Sequence, residues 1–228
     1  MDHTILIGGE HLPVLVRRHR AARRFTVRYQ PSRHAVSLTL PRYASLRQAL
    51  RFVEEKRAWL ARQIEKKPVR VPFADGQMIP LLGRNVRLCH KGGRGVVAVG
   101  NDCIRVPGDA AFMARRVREW IKAQAKEEMV KRAQEYAREL GVTVKKITLR
   151  DTGSHWGSCT GNGGLSLSWR LALAPCEVLE YVVAHEVAHI AQHNHSPAFW
   201  ALVERLCPHH KTAKAWLRAH GAALHAYG

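Results

Sequence analysis

The sequence contains no apolar run of the ~20 residues that a membrane-spanning helix needs, although 46% of its 228 residues are hydrophobic. Its first residues resemble neither a signal peptide nor a transit peptide. Cysteine is scarce, and the five cysteines are odd in number and form no C-x-x-C pair. These absences argue against disulfides and lead us to expect a cytoplasmic globular protein with reduced thiols and no membrane partner.

Acidic residues are also few, since 18 Asp and Glu stand against 37 Lys and Arg and leave a net charge of +19. Residues 1–70 hold 16 basic and 5 acidic residues, a net +11. Such charge attracts polyanions, so a nucleotide or nucleic acid is an expected partner of this part, beside the plainer interpretation of a solvated surface. The densest arginine cluster, at 17–24, does not alternate with aromatic residues and so forms no specific nucleic-acid motif.

The spacing of apolar residues predicts an α+β chain in two parts. Residues 1–108 are expected to form a small, basic, antiparallel β part with one amphipathic helix over 45–66. Residues 109–228 are expected to contain a long helix over 110–140 and an alternating strand over 165–173.

The most informative pattern is His185-Glu186-Val187-Ala188-His189, which follows an apolar segment predicted to be a buried helix. Residues four apart on a helix lie about 40° apart around its axis, so both imidazoles can reach one metal ion. Glu186 would then lie beside the open ligand position, where water binds. Burying these three side chains in an apolar helix is costly unless something binds them, which disfavours a purely structural interpretation.

A third metal ligand is expected soon after this helix, and the candidates are His193, His195 and Glu204. Asn194 tolerates the left-handed conformation, and Ser196 with Pro197 is typical of the start of a new helix. His195 would therefore lie in a tight turn that folds back toward the motif, which favours it over the other two. Glu204 would instead ligate from the next helix, as a carboxylate does in some zinc peptidases.

Several motifs together resemble the YgjP-like metallopeptidase family, which is similar to the SprT-like zinc peptidases and other minimal zincins. They are S-H-W-G-S-C at 154–159, L-S-L-S-W-R at 165–170, the H-E-x-x-H motif, and N-H-S-P-x-F-W at 194–200. The resemblance implies a zincin-like catalytic domain whose motif helix is flanked by an antiparallel sheet. It also implies a zinc cofactor held by His185, His189 and His195, with Glu186 as the catalytic glutamate. His155 stands where the family often has arginine.

The expected reaction is hydrolysis by a water molecule on the zinc ion, with Glu186 as its general base. A peptide or protein is the expected substrate, and it could pair with the free edge of the strand at 165–173. Further substrate contacts are expected from His155, Arg170 and Tyr181.

Two other functions stay open. The positive charge would suit a metal-dependent nucleoside triphosphate pyrophosphatase, an activity also described in the YgjP-like group, although such enzymes more often bind Mg²⁺ through carboxylates. It would also suit a nucleic-acid-associated protein with a structural metal, and SprT-like relatives act on DNA-bound proteins. Each ligand histidine also needs an acceptor for its second ring nitrogen, for which Glu204 and Asp151 are candidates.

Overall fold

Two units make up the chain, Met1–Lys67 and Pro68–Gly228, and each has its own apolar core. The computed structural model describes residues 3–30, 33–65, 70–100, 103–153 and 155–228. Within these ranges, no helix is both long enough and apolar enough to cross a membrane.

The N-terminal unit combines a four-stranded sheet with two helices. The strands are β1 (His3–Ile7), β2 (Glu10–His19), β3 (Thr26–Gln30) and β4 (Ala35–Pro41), in the spatial order β1-β2-β4-β3. The helices are α1 (Leu46–Glu55) and α2 (Arg57–Glu65). Alternate strand residues such as Leu12, Val14 and Leu38 are buried with Val53 and Leu60 of the helices, so one face of the sheet packs on them.

The helix predicted over 45–66 is observed as two helices. Ser45 caps α1, and its side chain accepts a hydrogen bond from the backbone N–H of Gln48 at 3.5 Å. A break at Lys56 separates α1 from α2. The last residue of the predicted helix, Lys66, lies outside the described residues.

The N-terminal sheet is mixed, whereas the sequence predicted an antiparallel one. β1 with β2 and β3 with β4 are antiparallel pairs, but β2 and β4 pair in parallel. β3 and β4 form a hairpin, and it is β4 that lies beside β2. An alternating pattern identifies the buried face of a strand but not its neighbour, and the prediction was wrong for this pair.

The second unit begins with another four-stranded sheet. Its strands are β5 (Met78–Leu81), β6 (Arg84–Lys91), β7 (Ala98–Val99) and β8 (Cys103–Pro107), in the order β5-β6-β8-β7. A 3₁₀ turn over Ala110–Phe112 leads into α3 (Met113–Leu140). Gly141 ends α3 with φ of 66°, a left-handed conformation that glycine adopts without strain, and the predicted end of this helix is confirmed.

A three-stranded sheet and three helices complete the second unit. The strands are β9 (Lys146–Arg150), β10 (Gly157–Cys159) and β11 (Gly164–Ser168), in the order β10-β11-β9. The helices are α4 (Cys176–Ala191), α5 (Pro197–Leu206) and α6 (His210–His220), and a 3₁₀ helix over Gly221–Ala226 follows. β10 and β11 are antiparallel, whereas β11 and β9 are parallel. The α+β class is confirmed, with mixed sheets.

Both sheets of the second unit share one core with α3 and α4. Residues buried in it include Ile79, Leu88, Ile104, Val117 and Val183. The predicted division into 1–108 and 109–228 therefore differs from the observed units, because strands expected in the N-terminal part contribute their apolar faces to the core around α3.

The strand predicted over 165–173 is half strand and half helix. β11 ends at Ser168, and a 3₁₀ helix with entirely buried side chains follows over Trp169–Leu173. The predicted alternation of apolar and polar residues depends on Arg170 as a polar position. Arg170 is buried too, so the pattern did not mark an exposed face. β11 lies between β9 and β10, so the free edge that the sequence assigned to it belongs to these neighbours instead.

Candidate active site

His185, Glu186 and His189 project from the C-terminal half of α4. Apolar residues of this helix, such as Val183 and Val187, are fully buried and hold it in the core. The ring centroids of the two histidines lie 4.8 Å apart. The four-residue spacing thus brings both rings to one face of the helix, as the sequence predicts.

His195 comes from the turn between α4 and α5. Asn194 Oδ1 accepts a hydrogen bond from Ser196 N at 3.2 Å, and Ser196 Oγ accepts one from Phe199 N at 3.3 Å. These bonds shape the turn and cap α5, as the sequence predicts. They bring His195 Nε2 to 3.2 Å from His185 Nε2.

Three imidazoles converge in what we call the histidine triad, which comprises His185, His189 and His195. Their candidate ligand atoms all lie within 4.8 Å of one another. Across the described ranges, this is the one group of three or more His, Cys, Asp or Glu side chains placed to hold a metal ion. The two alternative third ligands lie outside this group. His193 is exposed, and Oε1 of Glu204 lies 3.7 Å from Nζ of Lys211 on the surface.

The chemistry of the triad fits a divalent metal that favours nitrogen ligands. His189 Nδ1 donates to the carbonyl of Gln192 at 3.0 Å, which leaves its Nε2 lone pair for a metal. His185 Nδ1 is buried and has no hydrogen-bond partner among the described residues. Burial lowers the pKa of His185 to about 3 and also lowers that of His189, so both rings are neutral near pH 7, the form that binds metals.

Aromatic side chains of α5 support the triad. The ring centroid of Phe199 lies 4.4 Å from that of His189, 4.9 Å from His185 and 4.8 Å from His195. Trp200 lies 5.8 Å from His185 and 5.9 Å from His195. These contacts restrict rotation of the imidazoles, so α5 preorganises the site.

Glu186 is only 5% exposed and packs against β10. A Cβ atom at Gly157 would lie 2.5 Å from Glu186 Oε1 and 2.6 Å from its Cγ, so the carboxylate occupies space that glycine leaves open. Burial raises the pKa of Glu186 to about 7. A cation bound to the triad would favour the carboxylate form, so this group can take up and release a proton near neutral pH.

Two of the three predicted substrate contacts lie beside site elements. The ring centroid of Tyr181 is 5.9 Å from that of His185, one turn along α4. Burial, followed by the charge of Glu186, raises the pKa of Tyr181 to about 12, so its hydroxyl stays protonated. His155 is exposed two residues before the start of β10, and its carbonyl accepts a hydrogen bond from Thr152 Oγ1 at 2.6 Å.

Arg170, the third predicted contact, forms a clamp within the fold. Its Nε and Nη2 donate to the carboxylate of Asp151 at 2.6 and 3.1 Å. Its Nη1 donates to the carbonyls of Leu224 at 3.0 Å and Tyr227 at 2.7 Å. Every guanidinium nitrogen donates to a group of the protein itself, so Arg170 has a structural role in the fold. Asp151 is correspondingly bound to Arg170 and not to a triad histidine.

Sequence reasoning missed three residues beside the site: Gly157, Trp200 and Lys214. The Nζ atom of Lys214, on α6, lies 4.4 Å from the ring centroid of Trp200, and its charge adds to the effects that lower the pKa of His185. Gly157 and Trp200 belong to the W-G-S-C and F-W elements of the sequence, which could have marked them. Lys214 lies in no motif, so no local signal points to it.

An α+β scaffold that presents H-E-x-x-H histidines, a third histidine from the next turn and a buried glutamate defines a class of metal-dependent hydrolases. The sequence profile of the YgjP-like metallopeptidase domain matches residues 23–220. The chain therefore belongs to the YgjP-like metallopeptidase family.

Comparison with known structures and proteins adds two findings. The crystal structure of the metallopeptidase zymogen of Pyrococcus abyssi abylysin is 20% identical in sequence, with a TM-score of 0.37. The similarity covers 41% of this chain and 92% of that one. No curated protein matches the sequence.

Proposed function

We propose that this protein is a zinc-dependent peptidase in which His185, His189 and His195 bind the metal and Glu186 is the general base. The observation that carries the proposal is the convergence of three imidazoles beside one buried glutamate. Three imidazoles suit zinc better than magnesium, which prefers oxygen ligands. Zinc, when bound, would lower the pKa of its water to about 7 and polarise a substrate carbonyl.

Glu186 supplies the proton transfers in this proposal. Its carboxylate accepts a proton from the attacking water and then passes that proton to the leaving amine. Burial helps because it excludes bulk solvent and brings the pKa of Glu186 close to neutral pH. Tyr181, whose buried hydroxyl stays protonated, is the proposed donor to the oxygen that becomes negatively charged during attack.

An extended peptide is the proposed substrate because backbone N–H and C=O groups of β10 at the sheet edge can form hydrogen bonds with it. The carbonyl of Trp156 accepts a hydrogen bond from Ser168 N of β11 at 2.8 Å. At the other end of β10, Thr160 N donates to the carbonyl of Gly164, the first residue of β11, at 2.9 Å. Alternation along an antiparallel pair then directs the N–H and C=O groups of Gly157 and Cys159 away from β11. A substrate strand paired there would pass beside Glu186.

Proteolysis by the full chain loaded with zinc tests the proposal. The wild-type protein should cleave unfolded casein, and a chelator should stop the reaction. Glu186→Gln should retain zinc but lose about 10²- to 10⁴-fold in rate, because the general base is absent. Glu204→Gln is the matched control, since that glutamate is exposed on α5 and should not affect the rate. Cleavage by Glu186→Gln at the wild-type rate would contradict the proposal.

A nucleoside triphosphate pyrophosphatase is the second candidate, and Lys214 is the observation that favours it. This exposed lysine forms no ion pair within the described structure, unlike Lys211 of the same helix, and lies against Trp200, where it could bind an anionic substrate. Pyrophosphate release from the four ribonucleoside triphosphates, measured on the same preparation, separates this activity from proteolysis. Absence of both activities in zinc-loaded protein would favour a structural metal.

The five free thiols support the cytoplasm as the proposed location.

A further inference from the structure

Arginines converge at one end of the N-terminal sheet. The parallel register of β2 and β4 sets His19 beside Pro41, and the antiparallel register of β3 and β4 sets Thr26 beside Thr39. The end of β2, the loop to β3 and the loop after β4 therefore meet at the same edge. We call this surface the arginine end; its basic residues are Arg17, Arg18, Arg20, Arg23, Arg24 and Arg42.

Among the described residues of its own unit, no carboxylate pairs with the arginine end. All six side chains are exposed, and none lies within ion-pair distance of a described carboxylate. Glu10 lies at the opposite end of β2 and pairs with His34 at 2.8 Å. Glu54 lies near the far end of α1, where it pairs with Arg57. The surface therefore has a strong local excess of positive charge, which attracts phosphates.

An exposed aromatic ring lies beside Arg42 at this end of the sheet. Tyr43 is 89% exposed, and the guanidinium carbon of Arg42 lies 5.4 Å from its ring centroid. The loop that carries it is tied to β2, because Arg18 Nη1 donates to the carbonyls of Arg42 at 2.7 Å and Ala44 at 2.9 Å. Exposing a tyrosine this fully gains nothing for the fold, whereas a flat ring among cations suits stacking with a base.

We infer that the arginine end binds single-stranded nucleic acid. The guanidinium groups bind successive phosphates through charge-assisted hydrogen bonds, and one unpaired base stacks on Tyr43. A single strand fits better than a duplex because a base must be free of its own stack to reach the ring. Sequence separation hides this surface, since Tyr43 lies 19 residues beyond Arg24 in the chain and only the strand register brings its loop to the same end of the sheet. The inference is independent of the proposed peptidase activity.

Fluorescence anisotropy with a labelled 20-nucleotide oligothymidine tests the electrostatic part. Arg17→Gln, Arg23→Gln and Arg24→Gln combined should weaken binding at least tenfold and reduce the salt slope by about 2, as expected for three lost phosphate contacts. Arg84→Gln, Arg87→Gln and Arg115→Gln combined are the matched control, because they remove the same charge from exposed positions of the second unit. Thermal melts confirm that both variants fold. Equal loss in both would overturn the inference in favour of diffuse attraction.

Substitutions of Tyr43 test the stacking part. Tyr43→Ala should weaken binding of oligothymidine about tenfold, while Tyr43→Phe keeps the ring and should bind as the wild type does. An abasic oligonucleotide of the same length should bind equally to all three proteins, because it has phosphates but no base. An effect of Tyr43→Ala on both oligonucleotides, or on neither, would contradict the inferred stacking of a base on Tyr43.

Discussion

At the scale of single residues, Gly157 and Glu186 form the contact on which the proposed catalysis most depends. Gly157→Ala would place a methyl group where the Glu186 carboxylate lies. A displacement of about 1 Å can cost about a hundredfold in rate, so we expect kcat to fall by roughly that factor. The triad is untouched, so the zinc content should not change.

Steady-state kinetics and elemental analysis of the same samples check this prediction. Gly161→Ala is the matched control, because a Cβ atom there meets no other atom within 4 Å. A normal kcat in Gly157→Ala would show that Glu186 does not need its observed position.

Single residues also show how far the sequence could be interpreted. His185, Glu186 and His189 were predictable because helical spacing alone brings them together. His195 was predictable as the favoured candidate because Asn194 and Ser196 mark a turn and a cap. Gly157 and Lys214 approach the site only through tertiary packing; the W-G-S-C element could have marked Gly157, whereas no local signal points to Lys214.

At the scale of secondary structure, the Arg170 clamp joins the 3₁₀ helix after β11 to the end of β9 and to the C-terminal segment. Asp151→Asn leaves the buried guanidinium without its counter-ion. A fully buried pair costs about 3–5 kcal/mol when broken, and partial exposure of Asp151 reduces this, so we expect a loss of about 2 kcal/mol. Urea unfolding at pH 7 measures it.

Acid should reduce the contribution of this ion pair. Burial alone would raise the pKa of Asp151, but the hydrogen bond and charge of Arg170 outweigh it and lower the pKa below 3.8. A carboxylate with a lowered pKa stabilises the fold above its unfolded-state pKa, and the stabilisation is lost as the pH falls through the folded-state value. The difference between wild type and Asp151→Asn should therefore be constant above about pH 5 and shrink below about pH 4. A difference that does not change with pH would contradict the ion pair.

Secondary-structure prediction succeeded where the buried residues recur with the period of a helix or strand. It failed where a charged residue is buried. The helix ending at Gly141 follows the rules for helix termini. The strand predicted over 165–173 was too long because the alternating pattern places Arg170, a charged residue, at an exposed position. Its hydrogen-bond partners allow it to be buried. Parallel pairing of β2 with β4 was not predictable, because alternation carries no information on the neighbouring strand.

At the scale of the whole molecule, all site residues and one complete core belong to the second unit. A fragment spanning Pro68–Gly228 should therefore fold, bind zinc and keep the activity of the full chain toward casein. Circular dichroism, elemental analysis and the casein assay check this, with the His195→Ala fragment as the zinc-free control. A fragment that aggregates or stays zinc-free would show that the N-terminal unit is needed for the site.

The predicted boundary at residue 108 illustrates what composition cannot show. Charge changes gradually along the chain, whereas the units are defined by which apolar faces meet. Ile79, Leu88 and Ile104 could have packed on either unit by their hydrophobicity, and only the fold assigns them to the core around α3.

Zinc content is the most direct test of the account. The wild-type chain, purified and dialysed against zinc, should hold one Zn²⁺ per molecule by elemental analysis, and so should His193→Ala, whose side chain lies outside the triad. His185→Ala and His195→Ala should each retain almost none, because two imidazoles bind zinc far more weakly than three. Full zinc content in either triad variant would contradict the assigned metal site.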